Sequence, residues 1–466
     1  MHDSVIDVDY LIIGAGAAGM AFADSLVTET KSTMAIVDRQ HSPGGHWINS
    51  YPFVRLHQPS AFYGVSSRPL GSGAKDESGL NKGFYELASG SEVSSYFDLV
   101  MRQQFLPSGR VQYFPMSELG DDGVLTSLVS GHQRTFRARK IVDATYSCTT
   151  IPAMRSPQYI VADGIACVPP NDLTRVAKAY RGYVVIGSGK TGMDTCLWLL
   201  GNGVDPDNIR WIMPRDYWWL NRAAYQPGDE FFARLVESLA NGVEALANAG
   251  SVDEVFARLE AFDEVRRIDT SITPSGFHGG FVSSGEIEQV RRIRNVVRLG
   301  RVARVESNQI VLDRGAIPTS NEVLHIDCSA PGIPSRPSKP IFDGDRITLQ
   351  WVRMLQPTFS WSLIGHVEAT VLDQAEKNRI CTPIAPPDQP KDWVRMMATE
   401  LSNQLVWSKN AEIRAWQFKS RLDPYTRRIR SMQPGDTEAA GHLQRYSTHV
   451  GAAARNAAHL SLPEVR

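Results

Sequence analysis

Three glycines near the start of the chain have the spacing of a nucleotide-binding turn. Gly14, Gly16 and Gly19 follow an apolar run at 10–13 and precede an alanine-rich stretch. In such a GxGxxG turn the first glycine makes the bend, the second admits a pyrophosphate near the backbone, and the third packs the helix on the strand. The helix N-terminus adds free N–H groups and the positive end of its dipole. The pattern predicts a dinucleotide site.

An acidic residue stands where the ribose of that dinucleotide would lie. Asp38 ends the next apolar run, 34–37, and a carboxylate there can accept hydrogen bonds from ribose hydroxyls. The alternative is a glycine-rich turn that packs without a ligand. The residues predicted to bind in this unit are Gly14, Gly16, Ala18, Gly19, Asp38 and Arg39.

The same unit recurs in the middle of the chain. A strand-like run at 183–186 leads into a second GxGxxG, and a helical stretch at 193–200 and an apolar run at 209–213 follow. A Lys-Thr pair in this turn is typical of a P-loop, but a P-loop would need glycine at the position of Val184. This excludes a P-loop ATPase. The residues predicted to bind here are Gly187, Ser188, Gly189, Lys190, Thr191 and Gly192.

The second unit ends on a basic residue instead of an acid. Arg215 stands in the region of the missing ribose carboxylate, where a guanidinium can pair with a 2′-phosphate. This favours NADP over NAD, and the alternative is a solvated surface arginine. Arg215→Ala is therefore expected to weaken NADPH binding far more than NADH binding.

Two dinucleotide units in one chain most simply hold a tightly bound FAD and an exchanging nicotinamide that reduces it. The acid-ended unit would hold FAD and the arginine-ended unit NADPH. We expect an α/β fold with two Rossmann-like dinucleotide-binding domains and a helical insertion in the second. The predicted segments are 1–165 (FAD-binding domain, first part), 166–325 (NADP-binding domain, insertion at about 226–292) and 326–466 (return to the FAD-binding domain plus C-terminal helices).

The composition excludes several classes of function. The 466 residues carry 49 Lys+Arg against 50 Asp+Glu, so nucleic acid and anionic membranes are not expected partners. The cysteines form no CxxC pair and no zinc-ligand spacing, which excludes a flavoprotein disulfide reductase and predicts no metal site. With no export signal or membrane span predicted, the cytoplasm is the expected compartment. The cysteines are Cys148, Cys167, Cys196, Cys328 and Cys381.

A further glycine segment joins the two units into a known pattern. Gly14–Gly19 with Asp38, then Pro43-Gly44-Gly45-His46-Trp47, then Gly187–Gly192, resemble in type and order the flavin-containing and Baeyer–Villiger monooxygenases. The resemblance covers roughly 8–65, 140–220 and 320–375. It implies that Gly45, His46 and Trp47 lie along FAD. It also implies hinges at Asp143-Ala144-Thr145 and Ala330-Pro331-Gly332, with Thr145 among the cofactor-binding residues.

One departure from the family pattern leaves the reaction open. The FxGxxxH fingerprint is missing between the glycine motifs, because the linker 159–170 has no histidine, and the similar Gly276-Phe277-His278 lies elsewhere. The leading hypothesis is an NADPH-dependent, FAD-containing monooxygenase that uses O2 and a flavin C4a-(hydro)peroxide. Its small organic substrate would be oxygenated at nitrogen or sulfur, or by Baeyer–Villiger insertion. The alternatives are an FAD-dependent NAD(P)H oxidoreductase without oxygen insertion and a non-catalytic nucleotide-binding regulatory protein; a homo-oligomer is compatible with all three.

The resemblance also places the segment 51–58 near the flavin ring and the nicotinamide. Arg55 is the first catalytic candidate, because a guanidinium would stabilise anionic reduced flavin, and His57 and Gln58 follow as hydrogen-bonding groups. Asn221, just past the second unit, could orient the nicotinamide. Each has a structural alternative: a salt-bridged arginine, a packed histidine or glutamine, and a turn asparagine.

Aromatic residues beside the insertion have two interpretations. Trp218, Trp219 and Tyr225 would line a substrate pocket or form the core that joins the insertion to its domain. Ser360 and His366 lie where the family's chain returns toward the flavin. These two are further site candidates, and otherwise part of the scaffold.

Overall fold

The computed structural model describes residues 5–147, 149–330, 332–334 and 336–462. Cys148 and Pro331, both named above, lie outside the described residues. Across the described ranges, no helix combines the length and the apolar character that a bilayer crossing requires.

Most of the strands are short, at two to five residues. The strands are β1 Ile6–Ile13, β2 Met34–Val37, β3 Val111–Phe114, β4 Ser117–Leu119, β5 Val124–Ser127, β6 Gln133–Asp143, β7 Ile160–Val161, β8 Cys167–Val168, β9 Gly182–Ile186, β10 Ile209–Ile212, β11 Tyr217–Asn221, β12 Val265–Arg266, β13 Gly276–Val282, β14 Asn295–Val297, β15 Val302–Val305, β16 Gln309–Leu312, β17 Gly315–Pro318, β18 Val323–Asp327, β19 Phe342–Asp343 and β20 Arg346–Thr348.

The helices range from 4 to 24 residues in length. They are α1 Ala17–Glu29, α2 Gly90–Val100, α3 Pro170–Leu173, α4 Lys190–Gly201, α5 Phe232–Ala247, α6 Val252–Ala261, α7 Ser284–Val290, α8 Pro357–Thr370, α9 Gln374–Ile380, α10 Pro390–Lys409, α11 Ala411–Lys419, α12 Thr426–Arg430 and α13 Thr437–Leu460.

The first sheet is built from both ends of the chain. Its strand order is β19-β20-β6-β1-β2-β3, and β1 pairs in parallel with β2 and β6. Helix α1 is buried continuously from Ala17 to Leu26, including Asp24 and Ser25. It packs closely on α8, since a Cβ added to Gly365 would lie 2.7 Å from the Cβ of Ser25. The chain therefore returns to its first sheet after completing the second.

The second sheet is parallel throughout, in the order β14-β10-β9-β18-β8. Val184, Val185 and Ile186 of β9 are all buried, as expected for a central strand covered on both faces. Strand β9 runs through the turn at 187–189 into α4 and then into β10, a crossover that places the glycine turn at the carboxyl edge of the sheet.

A smaller sheet has the order β17-β16-β15-β7. Its strand β7 precedes the predicted boundary at 165, yet it pairs with β15 of the middle segment. The predicted segment boundaries stay a prediction.

The stretch at 226–292 contains α5, α6 and α7, together with β12 and β13, which the sequence did not predict. These two strands flank β11 in a three-stranded sheet. Helices α10 and α13 cover the same region, and Phe256 packs its ring 5.4 Å from Trp218 and 5.9 Å from Trp393. The C-terminal helices and the insertion therefore share one core.

Candidate functional site

The first glycine turn connects β1 to α1 at close quarters. Gly14 has a φ of +105°, a conformation that side chains rarely adopt, and a Cβ on Gly19 would lie 1.9 Å from the carbonyl oxygen of Gly14. No described side chain caps α1 at Gly16. The first N–H groups of the helix are therefore left for a ligand.

The carboxylate of Asp38 is fixed beside this turn. One of its oxygens accepts the N–H of Ala15 at 2.6 Å, and the other accepts the N–H of Gln40 at 2.7 Å. Burial raises the pKa of Asp38, and these two hydrogen bonds act in the opposite direction. Each oxygen keeps a further lone pair, so the group can accept ribose hydroxyls.

Gly44 and Gly45 lie directly on the turn. The N–H of Gly44 donates to the carbonyl of Ala15 at 2.9 Å. A Cβ on Gly45 would lie 3.0 Å from the Cα of Gly16. The glycine turn is thus covered by a second glycine segment, and neither has room for a side chain.

The other predicted cofactor residues of this unit lie at different distances from the turn. Thr145 is close, because a Cβ on Gly14 would lie 3.2 Å from its Cγ2. Trp47 follows Gly45 and donates from Nε1 to a tyrosine hydroxyl at 2.8 Å, while burial lowers the pKa of His46 to about 4. Arg39 is on the surface, paired with Glu118 at 3.0 Å. Ala18 is buried in α1.

The second glycine turn repeats the close packing of the first. A Cβ on Gly192 would lie 2.1 Å from the carbonyl oxygen of Gly187, and one on Gly187 would lie 2.6 Å from that of Cys328. Around Gly189, by contrast, no described atom beyond its chain neighbours lies within 4 Å of a Cβ position. Since α4 also has no side-chain cap at Gly189, the space beside its first turn is open to a phosphate.

Arg215 is tied to this second turn through its backbone. The hydroxyl of Ser188, inside the turn, donates to the carbonyl oxygen of Arg215 at 2.7 Å. The guanidinium points to a carboxylate, with Nη1 3.0 Å from Oδ2 of Asp388. Arg215 thus lies beside the turn, as the sequence suggested, but its charge is already paired.

The segment after the first turn packs on the helix of the second turn. The hydroxyl of Tyr51 donates to Asp194 in α4 at 2.8 Å. The ring of Phe53 stacks on Trp198 of the same helix at 5.2 Å between centroids. The amide of Asn171 donates to the backbone carbonyl of Asn49 at 2.9 Å. The two glycine units are therefore joined along residues 49–53.

A buried charge network lies at this junction. Lys190, in the first turn of α4, pairs with Asp194 and reaches Glu286 at 3.3 Å. Arg222 pairs with the other oxygen of Glu286 at 2.8 Å and donates from Nε to the carbonyl of His57 at 2.9 Å. Burial alone would raise the pKa of Glu286, but Lys190 and Arg222 outweigh it and lower that pKa to about 2.

His57 stays neutral in these surroundings. Burial, with Lys190 and Arg222 nearby, lowers the pKa of His57 to about 3, although Glu286 acts in the opposite direction. Its neighbour Gln58 donates from Nε2 to the carbonyl of Leu355 at 3.3 Å. Of the predicted catalytic residues, these two lie together at the junction.

Leu355 lines a cavity of about 130 Å³. Its wall is mostly apolar and aromatic, with members from α5, α6, α10 and α13 and the segment 353–356. Prominent members are Leu220, Tyr225, Val243, Phe281, Met354, Gln356, Trp393 and Met397. Leu355 itself has a φ of +56°, a strained conformation for a residue with a side chain. The cavity and the junction thus meet at Leu355 and its partner Gln58.

Buried charges brace the far wall of the cavity. Arg353 donates to Asp423 at 2.8 Å, and its Nε lies 3.8 Å from Glu400. Burial raises the pKa of Glu400, and Arg353 acts in the opposite direction. Gln356 donates to the hydroxyl of Tyr225, and its amide oxygen is buried without a hydrogen-bond partner among the described residues.

Arg55 and Asn221 form hydrogen bonds with residues other than those of the charge network. Arg55 is exposed and donates from Nη1 to the carbonyl of Leu87 at 2.8 Å. Asn221 lines the cavity, but its amide caps the next turn at Ala223 and donates to the backbone of Asp263 at 2.9 Å. Neither contacts His57 or Gln58, and their catalytic roles stay a prediction.

The remaining candidates divide between cavity and scaffold. Tyr225 lines the cavity, whereas Trp218 and Trp219 are buried in the cores around the insertion. The hydroxyl of Ser360 donates to the carbonyl of Gln356, which caps α8, and accepts the N–H of Arg353 at 3.0 Å. His366 pairs with Glu29 at 2.6 Å.

Several residues at the junction escaped the sequence analysis. Glu286 and Asp194 lie on helices far apart in the chain. The local sequence marks Glu286 only as the acid of a capping box with Ser283 at the start of α7, and it does not mark Asp194. Arg222 directly follows Asn221, so its position next to a candidate was the only signal. Asp388 lies in a proline-rich stretch without any motif.

Comparisons with known proteins support the first unit by sequence. Residues 12–62 match the model of the NAD(P)-binding Rossmann-like domain. Over 418 residues the chain is 49% identical to the uncharacterized protein Rv2000 of Mycobacterium tuberculosis (strain ATCC 25618 / H37Rv) and to the uncharacterized protein Mb2023 of Mycobacterium bovis (strain ATCC BAA-935 / AF2122/97). The matched region is 90% of this chain and 78% of each relative.

Two structures of cyclohexanone monooxygenase share the fold. The open form superposes with a TM-score of 0.51 at 15% identity, covering 88% of this chain and 98% of the other. The cyclohexanone-bound rotated form gives 0.50 at 16%, covering 81% and 92%. These likenesses confirm the predicted α/β fold class and, at the level of fold, the resemblance to flavin monooxygenases.

Proposed function

Because this chain belongs to the family of the uncharacterized mycobacterial protein Rv2000 and has the fold of cyclohexanone monooxygenase, we propose that it is an NADPH-dependent, FAD-containing monooxygenase. Its substrate is a small organic molecule, oxygenated at nitrogen or sulfur or by Baeyer–Villiger insertion. When bound, FAD would supply the electron storage and the reaction with O2 that no side chain provides.

The residues around the first turn fit FAD. The free N–H groups of α1 suit a pyrophosphate, and the carboxylate of Asp38 suits a ribose diol. Gly44 and Gly45 leave backbone, not side chains, against that turn. At the second turn, the open space at Gly189 suits the pyrophosphate of NADPH, with Arg215 at the ribose.

The observation that carries the proposal is the contact between the two units. Residues 49–53, which follow the FAD-side glycines, pack on the helix that starts at the NADPH-side glycines, and Tyr51 bonds to Asp194. Two dinucleotides held this way can bring their reactive ends to one place, as hydride transfer requires.

At that place the chain provides a charge-balanced network, in which Lys190 and Arg222 face Asp194 and Glu286, and a neutral histidine. Lys190 and Arg222 are buried with Glu286, so their charges act in a poorly solvated region. His57, kept neutral, can donate or accept a hydrogen bond without adding charge. Gln58 bonds to Leu355 and so links this region to the cavity, which we assign to the substrate.

The cavity suits a compact apolar molecule. A cavity of about 150 Å³ with apolar walls takes a benzene-sized ligand. The cavity here, at about 130 Å³, has similar capacity, and its apolar walls would exclude water from the reaction.

The proposal is tested by oxygen incorporation. The FAD-loaded protein is supplied with NADPH and labelled O2 and screened against cyclic ketones, tertiary amines and thioethers of that size. One labelled oxygen atom in a product, with NADPH consumed in equal amount, supports the monooxygenase. If NADPH oxidation proceeds and no substrate gains oxygen while a quinone is reduced instead, the enzyme is an oxidoreductase without oxygen insertion.

A further inference from the structure

The guanidinium of Arg215 is occupied by a carboxylate from a distant part of the chain. Nη1 of Arg215 lies 3.0 Å from Oδ2 of Asp388, and Nη2 contacts Oδ1. Nε of Arg215 donates to the hydroxyl of Tyr217 at 3.0 Å. The pair therefore has the two-pronged geometry that a guanidinium otherwise offers to a phosphate.

Asp388 is held in place from three sides. Its N–H donates to the carboxylate of Asp392 at 3.0 Å, and its carbonyl accepts the N–H of Phe277 at 3.1 Å. Its Oδ1 lies 3.0 Å from Nε2 of His278. The carboxylate thus cannot leave Arg215 by a simple side-chain rotation without losing the contact with His278.

Arg215 is equally fixed at its backbone, beside the second glycine turn, through Ser188. A dinucleotide on that turn would bring its adenosine ribose next to the Arg215–Asp388 pair. A 2′-phosphate would then meet an arginine that is already neutralised, and a carboxylate of its own sign. A ribose with a free 2′-hydroxyl carries no such charge and can donate to a carboxylate.

We propose that Asp388 is a specificity-determining residue for the nicotinamide cofactor, competing with the 2′-phosphate for Arg215 and lowering the preference for NADPH over NADH. This inference rests on the proposed function only in assigning the second turn to a nicotinamide dinucleotide. In the natural chain Arg215 contributes less to the NADPH preference than its position alone would suggest.

Equilibrium binding of NADP⁺ and NAD⁺ to the FAD-loaded protein tests this without any turnover. Asp388→Asn keeps the size of the side chain and removes its charge. It should tighten NADP⁺ at least about tenfold and change NAD⁺ less than about twofold, since one charged contact exchanged for another is worth about a tenfold step. Arg215→Ala should weaken NADP⁺ more in the Asp388→Asn background than in the natural chain.

Adenosine 2′,5′-bisphosphate and adenosine 5′-monophosphate isolate the contribution of the 2′-phosphate, because they differ only there. Only the bisphosphate should bind more tightly to Asp388→Asn. Glu322→Gln is the matched control: it removes one negative charge just before β18 of the second sheet, at an exposed pair with Arg181, and should leave both probes unchanged.

Equal changes for NADP⁺ and NAD⁺ in Asp388→Asn, or a loss of thermal stability with no change in their ratio, would overturn the inference and make Asp388 a structural residue. If neither nucleotide binds to any variant, the assignment of the second turn fails together with it. If NADP⁺ binds as expected but NADPH does not reduce the flavin, the inference holds and the proposed function fails.

Discussion

At the first glycine turn, a Cβ on Gly16 would lie 3.4 Å from the Cα of Gly45. At the second turn, no described atom beyond the chain neighbours lies within 4 Å of a Cβ on the equivalent Gly189. The first turn is covered by the chain itself, and its carboxylate, Asp38, is half-buried. The second turn is open, and its ribose residue, Arg215, is paired at the surface. Under the proposed function, the same spacing of glycines would serve a cofactor that stays bound in one unit and a cofactor that exchanges in the other.

The largest expected effect is on the free energy of unfolding, from a substitution in the buried charge network at the junction between the two turns. Glu286→Gln leaves Lys190 and Arg222 buried without their shared carboxylate, which should lower the free energy of unfolding by about 3–5 kcal/mol. Denaturant unfolding of the FAD-loaded protein measures this. Glu288→Gln, exposed on the same helix, is the control and should change the free energy of unfolding by less than about 0.5 kcal/mol. Equal effects of the two substitutions would show that the network does not hold the units together.

At the first glycine turn, the predicted role of the Asp38 carboxylate can be tested by substitution. Asp38→Asn places an NH2 group against a backbone N–H and removes the charge that would accept the ribose hydroxyls. Hydrogen bonds to a charged group contribute about 1.5–3 kcal/mol, so FAD affinity should fall about ten- to hundredfold, as measured by flavin release on dilution. Arg137→Ala, at an exposed pair with Asp7 in the same sheet, should change it by less than about twofold. An unchanged FAD affinity in Asp38→Asn would place the FAD ribose elsewhere.

At the second glycine turn, two glycine substitutions distinguish an effect on packing from an effect on ligand binding. Gly192→Ala would bring a Cβ to 2.1 Å from the carbonyl oxygen of Gly187, and overpacking of this kind should cost about 1–3 kcal/mol of folding stability. Gly189→Ala meets open space, so the melting temperature should stay the same while NADP⁺ binding weakens. Calorimetry and NADP⁺ titration of both variants make the comparison. A Gly189→Ala protein that binds NADP⁺ normally would contradict a pyrophosphate at this turn.

The smallest predicted effect is a pH dependence at the junction. The pKa of His57 is about 3 in the folded protein and 6.5 ordinarily, so below pH 6.5 the unfolded chain takes up a proton that the folded chain does not. Stability should therefore fall as the pH drops from 6.5 toward 3, and by about pH 5 the loss should be about 1–2 kcal/mol.

His57→Gln should remove that share of the acid sensitivity, as followed by urea unfolding at neutral and acid pH. His41→Gln, at an exposed histidine, is the control and should leave the pH profile unchanged. If His57→Gln unfolds with the same pH profile as the natural chain, the pKa of His57 is not lowered in the folded protein and the histidine is not held neutral at the junction.

The parts of the molecule that could be predicted from sequence are those specified by residues that lie close together along the chain. Around Gly14–Gly19 and around Gly187–Gly192, a strand, a turn and a helix follow one another within about twenty residues, so the local pattern and the fold agree. The first sheet and the second follow from the apolar runs on either side of each turn. Arg215 was found because it ends the second unit.

The parts that could not be predicted depend on contacts across the chain. Asp388 meets Arg215 across 173 positions, and Tyr51 meets Asp194 across 143. Strand β13 is glycine-rich and has poor strand propensity, but Gly280 makes room for the ring of Trp219, since a Cβ there would lie 2.9 Å from the ring. The strand conformation of β13 therefore depends on tertiary packing, which the local sequence pattern does not reveal.

The most direct test of the account is anaerobic mixing of the purified, FAD-loaded protein with NADPH while the visible flavin absorbance is followed. The account predicts that the flavin stays bound through gel filtration and is then bleached by stoichiometric NADPH, because residues 49–53 hold the two cofactor turns against each other. A flavin that is retained but not bleached by NADPH or NADH would contradict a hydride path between the two turns and favour a nucleotide-binding protein without catalysis.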